Sequence, residues 1–261
     1  MTQASTLPDT QNSADASGLR IPQAGILGLV LPARITDSDG CRMATTATWK
    51  LAASVPVGQR GTHMSRFVQM AHRISADLVL ETLPHLSQEL CELLETDEAT
   101  LAFAFTAFID KPAPVSGIPG TLALPCDYKV QNTRGQVVMT QRVSIPATSL
   151  CPCSKAISSY GAHNQRAAIN IVTRGARLPA IDLLRGIADR EVSSPVYSLL
   201  KREDEKHVTE RAYENPKFVE DMARGVYASL TATLSDLAVG VTVISYESIH
   251  NHEAWAHIGL E

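Results

Sequence analysis

Two periodicities alternate along this chain. Residues 26–36 are an apolar run interrupted by Pro32, and residues 43–55 form a second extended run beyond the turn signal Asp37-Ser-Asp-Gly40. Together they read as a hairpin. The period then lengthens. Phe67, Met70, Ala71, Ile74 and Leu78 share one face of a helix that Ser65 is placed to cap. Pro84 breaks it, and Leu86, Leu90, Leu93 and Leu94 mark a second helix. Period two returns in Leu101, Phe103, Phe105, Ala107 and Ile109. It returns again, past a loop rich in Pro and Gly, in Leu122, Leu124, Cys126, Tyr128 and Val130.

The same order recurs. Met139, Gln141, Val143 and Ile145 mark one strand; Gln165, Ala167, Ile169 and Ile171 mark the next. Helical segments follow over residues 180–190 and 196–201. A stronger helix starts at Asn215-Pro216 and carries Phe218, Met222, Val226, Leu230 and Leu234. Val239, Val241 and Val243 alternate in a strand, with residues 253–258 as its hairpin partner. The pattern divides the chain into residues 25–134 and 135–261, two modules of strand-strand-helix-helix-strand-strand order. Residues 1–24, rich in small polar side chains, read as a disordered tail. The halves share an order of elements, not a residue repeat. Helices on one face of an antiparallel sheet make an α+β class, and the open sheet edges suggest closure into a barrel across subunits.

Composition narrows the function. Of 261 residues 44% are hydrophobic, enough for a real core, while a formal charge of −4 and 5% aromatics argue against a nucleic-acid surface. No run approaches the roughly 18 apolar residues of a membrane span, and no signal peptide is evident. Five cysteines without framework spacing fit reduced thiols in the cytoplasm.

Between the two strands at 139–145 and 165–171 lies the stretch on which the chemistry centres. Cys151 and Cys153 stand one residue apart, with His163 ten residues on. Thiolate and imidazole suit zinc and similar ions, and a site with fewer than four protein ligands is open for catalysis. Buried structural thiols, a redox pair or a nucleophilic cysteine are the competing readings. Cys41, Cys91 and Cys126 read as isolated thiols. The charge-dense run from Leu199 to Glu210 could add a carboxylate, and spacing alone does not choose among Glu203, Asp204, Glu205 and Glu210. Glu220 and Asp221 sit early in the last long helix, where acids either favour the helix dipole or accept N–H groups from a purine or pterin. Tyr246-Glu-Ser-Ile-His-Asn-His252 is a polar hairpin tip. Gly61-Thr-His-Met-Ser-Arg66 opens the first long helix.

Taken together these motifs resemble a known family. Ser149-Leu-Cys-Pro-Cys-Ser-Lys155, Tyr160-Gly-Ala-His-Asn-Gln-Arg166, Gly61-Thr-His-Met-Ser-Arg-Phe67, Ala113-Pro-Val-Ser-Gly117, Thr209 to Asp221 and Glu247-Ser-Ile-His-Asn-His252 look like the bacterial type IB GTP cyclohydrolases, in the same order. The resemblance implies the tunnelling fold, homotetramers that close sheets into barrels, and conversion of GTP and water to formate and 7,8-dihydroneopterin triphosphate on the way to folates. It implies Cys151, His163 and Glu205 as ligands of Zn2+ or Mn2+, and Cys153 as a second thiol with an acid/base or auxiliary role. It also implies Glu220 as the guanine anchor, with Glu247, His250 and His63 as further site contributors. Arg66, Lys155, Arg166, Lys201 and Arg202 are the cations available to the triphosphate. The chain departs from the family at Ala156, where Glu is frequent. Two alternatives are a cysteine-nucleophile nitrile reductase of the same fold class, using NADPH, and a non-enzymatic oligomer that binds a purine or pterin.

Overall fold

The computed structural model describes residues 10, 11 and 13–261. Most of the expected tail's first half lies outside these residues. Its second half is partly structured: Ala14 makes an isolated bridge to Gln59, and the first strand begins at Ile21, earlier than its apolar run. The backbone pairs there with residues up to Val55, so pairing rather than hydrophobicity sets the start.

The first half contains β1 (Ile21–Thr36), β2 (Arg42–Val55), α1 (Met64–Ala76), β3 (Leu78–Val79), a 3-10 turn (Leu80–Thr82), α2 (Leu83–Leu94), β4 (Glu98–Asp110) and β5 (Thr121–Thr133). The second contains β6 (Gln136–Leu150), α3 (Pro152–Ile157), β7 (Asn164–Gly175), α4 (Ile181–Glu191), β8 (Ser194–Pro195), α5 (Arg202–Glu214), α6 (Val219–Thr233), β9 (Ala238–Ser245) and β10 (Ala254–Gly259). All strands join one sheet in the order β10-β9-β7-β6-β5-β4-β2-β1-β3, with β8 on β6. Among the described residues only the short β1–β3 pairing is parallel.

The halves meet at the β5–β6 hairpin, where Thr133 pairs Gln136. Its two turn residues, Arg134 and Gly135, have φ of 53° and 80°. Positive φ at both is the turn whose twist matches the strands, and glycine reaches it without strain.

Alternation buries one face of the sheet, most regularly on β5. On β5, Leu122, Leu124, Cys126, Tyr128 and Val130 are buried and their neighbours exposed. α1 and α2 pack on the buried face of the first half, α4 and α6 on that of the second. Trp49, Phe103, Phe105 and Tyr128 stack beneath the helices with centroids 4.8–5.9 Å apart. Leu230 on α6 is fully buried, and Leu230→Ala is expected to cost about 2–5 kcal/mol, read as a lower urea midpoint with unchanged slope.

Four local expectations fail for physical reasons. Ser65 lies inside α1, whose N-cap is His63. Pro84 sits in the first turn of α2, where a missing N–H costs nothing. Residues 196–201 are not helical; the helix is α5, with only Asp204 and Ala212 buried and hence no apolar stripe to announce it. Asn215 closes α5 rather than opening α6, and Phe218, the α6 N-cap, is exposed. No helix among the described residues is long and apolar enough to cross a membrane.

Candidate active site

The Cys-Pro-Cys stretch is a short helix, α3, set between the central strands β6 and β7. Pro152 occupies its first position and Cys151 its N-cap, so the Ser154 N–H donates to the Cys151 sulfur at 3.4 Å. The far end of the loop is tied back. The Cys151 N–H donates to the His163 carbonyl at 3.1 Å, and the His163 N–H donates to the Ser154 hydroxyl at 3.2 Å. Thus Cys151 and His163, distant in sequence, become neighbours on one closed loop. Cys151 and His163 are half-buried; Cys153 is exposed.

The orientation of the His163 ring is fixed by a chain of hydrogen bonds that begins just beyond the end of β9. Glu247 offers only acceptors. Its Oε1 accepts from the Ser245 hydroxyl at 3.0 Å and from the Gln165 side-chain amide at 3.2 Å. Gln165 also donates to the Ser245 hydroxyl, 3.1 Å away. With its NH2 group committed to these partners, Gln165 turns its carbonyl toward His163, where Nδ1 lies 2.8 Å from Oε1. This arrangement favours the Nδ1–H tautomer, in which the neutral ring keeps the Nε2 lone pair. A second residue that takes one ring N–H and frees the other nitrogen is the usual support of a ligating histidine. Gln165 and Ser245 are buried. In the sequence Gln165 is an ordinary strand position, because its partners lie 80 and 82 residues away. Gln165→Leu is expected to lower turnover at this site about 10- to 100-fold, measured as kcat/KM, with the fold retained by circular dichroism.

The carboxylates sort themselves by what already occupies them. Asp204 is fully buried. It accepts from the Val115 N–H (2.8 Å), the Ser116 N–H (2.9 Å), the Ser116 hydroxyl (2.6 Å) and the Lys201 N–H (2.9 Å). It therefore fastens the Ala113-Pro-Val-Ser-Gly117 loop to the start of α5. Burial alone would push this carboxyl up, but the Ser116, Lys201 and Val115 donors outweigh it and hold the group well below the ordinary carboxylate range. A depressed folded value makes this tie fully present above about pH 4 and lost as pH falls through the folded value. Glu210 pairs with Lys206 at 3.1 Å. Glu205 is exposed and stands on the same helical face as Thr209 and Tyr213, at i, i+4 and i+8. Thr209 and Tyr213 line a cavity of about 520 Å³ with Leu150, Tyr160, Ala162 and Asn164, at the mouth of the α3 loop.

At α6 the same sorting separates two neighbours. Asp221 accepts the Phe218 N–H at 3.1 Å and lies 3.4 Å from Arg224. Glu220 stays exposed on the first turn. That turn is anchored to the Cys151 loop: the Lys217 N–H donates to the Leu150 carbonyl and the Ser149 hydroxyl to the Lys217 carbonyl, both at 3.1 Å. Lys155 reaches across to the Tyr213 carbonyl and lies 4.3 Å above the Tyr213 ring centroid.

Within one chain the structure joins Cys151, His163, Gln165 and Glu247 and ties the Glu220 turn to them. It does not bring Glu205 into contact with the pair: among the described residues no three His, Cys, Asp or Glu side chains converge closely enough to hold an ion. His250 is exposed at the β9–β10 bend, its ring stacked on His252 at 5.1 Å. His63 caps α1, which packs on β1 and β2, separated from β6 by β4 and β5. Arg66 donates to the Leu93 carbonyl at 2.7 Å within that first half. The donor types present fit a borderline divalent ion: a half-buried thiol, and an imidazole whose Nε2 is left free.

A family model described as "Type I GTP cyclohydrolase folE2" matches residues 7–256. The chain belongs to the type I GTP cyclohydrolase FolE2 family. It is 42% identical over 254 residues to the GTP cyclohydrolase FolE2 of Bordetella avium (strain 197N), covering 97% of this chain and 96% of the relative. It is 41% identical over 262 residues to that of Vesicomyosocius okutanii, covering 98% and 97%. Among solved structures, uricase from Arthrobacter globiformis superposes with a TM-score of 0.52 at 10% identity, covering 92% of this chain and 94% of that one. This likeness is one of fold: the α+β architecture is the tunnelling fold, with an open sheet in the single chain. Of the motifs that carry the family resemblance, Ser149–Lys155 and Tyr160–Arg166 form the α3 loop and its tie, Glu247 reaches them through Gln165, and Gly61–Phe67 lies apart on the first half.

Proposed function

We infer that this FolE2 family member is a GTP cyclohydrolase, converting GTP and water to 7,8-dihydroneopterin triphosphate and formate in folate biosynthesis, and we propose that it is of the type IB kind. The observation that supports locating the reaction at α3 is the His163 ring locked beside Cys151 by Gln165 and Glu247. Cys151, His163 and Glu205 would hold a divalent ion, zinc or manganese, with Glu205 arriving from the α5 face that borders the cavity. Such an ion supplies Lewis-acid charge for hydrolysis at the guanine ring.

The remaining steps belong to side chains. Opening the imidazole ring of guanine needs water delivered to C8 and protons delivered to the departing nitrogens. Cys153, exposed two residues from Cys151, and His250, exposed at the nearby strand tip, are the groups free to carry them. Glu220 would accept the N1–H and 2-amino N–H of the guanine, a paired, charge-assisted contact that fixes the ring. Glu247 acts through Gln165, so its place in the site is to orient His163.

The chain would work as a homotetramer. β1 is sixteen residues long, yet its outer edge pairs only with the two residues of β3. Leu27 and Val30 on β1 and Trp255 on β10, the opposite edge, are exposed. Unpaired edges with apolar side chains favour joining sheet to sheet. Sedimentation equilibrium should return a particle of four 28.1 kDa chains; a stable monomer would contradict the assembly.

The activity is tested by incubating the purified chain with GTP and measuring pterin fluorescence and formate. Equal amounts of both are expected from GTP and neither from ATP. GTP binding without formate would favour the non-enzymatic reading.

A further inference from the structure

The helices cover one face of the sheet; the other carries a cluster of cations that the reaction centre does not use. Register places Lys50 on β2 beside Ala102 on β4, Ala102 beside Lys129 on β5, Lys129 beside Thr140 on β6, and Thr140 beside Arg174 on β7. Three cations thus stand on alternate strands of one transverse row, with backbones about 10 Å apart. Arg142, two residues along β6, stands between the ends of that row and pairs in register with Asp127. All four cationic side chains are exposed and line a single cavity of about 510 Å³. Ala102 and Ala104 form its floor, where no longer side chain fills the space between the cations.

Among the described residues none of these four cations forms an ion pair. Arg174 donates only to the Thr140 hydroxyl, at 3.4 Å. Four like charges held in one concavity against a single carboxylate repel one another, in a chain whose formal charge is −4. A multivalent anion seated among them would reverse that balance, because guanidinium and ammonium groups bind phosphate oxygens by charge-assisted bonds.

We propose that this concave sheet face is a binding site for an inorganic oligophosphate, diphosphate or triphosphate, distinct from the α3 centre. The rings near the row, Trp49, Phe103 and Tyr128, are buried on the helix side, at 0%, 3% and 2% exposure. They give a nucleobase nothing to stack on, so the cavity recognises the phosphate chain alone. Thr48 and Thr140 add hydroxyl donors at its wall. Every side chain that lines the cavity comes from one chain.

The test is isothermal titration of sodium tripolyphosphate into the full chain at low and at physiological ionic strength, for the native sequence and for the double variant Lys129→Gln/Arg142→Gln. Both replaced side chains are exposed, so the variant should fold, as circular dichroism checks. Saturable binding is expected that weakens with salt and falls at least about tenfold in the double variant, while its turnover of GTP is kept. Absence of binding to the native chain, or equal binding to both, overturns the proposal. So does an equal loss of GTP affinity in the variant, which would assign these cations to the substrate's own triphosphate. Tighter binding of a single-stranded oligonucleotide than of tripolyphosphate also overturns it.

Discussion

Replacing Cys151 by alanine is expected to lower dihydroneopterin triphosphate formation by about 10³-fold or more, since several kcal/mol of transition-state stabilisation go with the ion it would hold. The native thiol is half-buried and its one recorded hydrogen bond is from the Ser154 N–H, so the change should leave the unfolding midpoint nearly unmoved. Bound metal, measured on the purified variant, should fall with the activity. Cys153→Ser offers the contrast: its side chain is exposed and outside the hydrogen bonds that close the loop. That variant should retain metal while losing part of its turnover. Full activity in Cys151→Ala, or metal retained at the native level with activity gone, would contradict the assignment of Cys151 as a ligand.

Glu220→Ala is expected to have the second largest effect. Two charge-assisted hydrogen bonds to the guanine edge would disappear together, lowering kcat/KM for GTP by about 10²- to 10⁴-fold. Glu220 does not cap its helix, because Asp221 already takes the Phe218 N–H. Stability should therefore stay within ordinary surface variation, about 0.5 kcal/mol. The split between the parameters is informative. A rise in KM alone marks contact made equally in ground and transition state, and a fall in kcat marks a role in aligning C8 for attack. Asp221→Ala should show the reverse pattern, with stability reduced and kcat/KM close to native. If the two variants exchanged behaviours, the guanine contact would belong to Asp221.

The strands and their buried faces were legible because period two survives even where a residue is small, as in Ala107. What escaped had partners too distant for any local pattern. Asp204 looked like one of several acids in a charged run, yet its donors Val115 and Ser116 lie 89 and 88 residues away. α5 itself lacks an apolar stripe, because one of its two buried residues is that carboxylate. Gln165 fits a strand pattern perfectly well, and only the fold puts Glu247 behind it. Ser65 and Asn215 were sound capping residues by type, but a cap depends on where the backbone enters the helix. The thiols and histidine of the α3 loop stand out in the sequence by type; that Cys151 and His163 close the same loop does not. Glu205, named by resemblance alone, is still unjoined to them within one chain.

The central claim is that the Cys151–His163 loop runs an ion-dependent hydrolysis of GTP. It is tested most directly by one series of measurements on the purified chain: formate and dihydroneopterin triphosphate released from GTP as prepared, after chelation, and after adding back zinc or manganese. Equal release of both products, abolished by chelation and restored by one of these ions, is the predicted result. Undiminished turnover after chelation, or NADPH-dependent reduction of a nitrile with no formate from GTP, would contradict it.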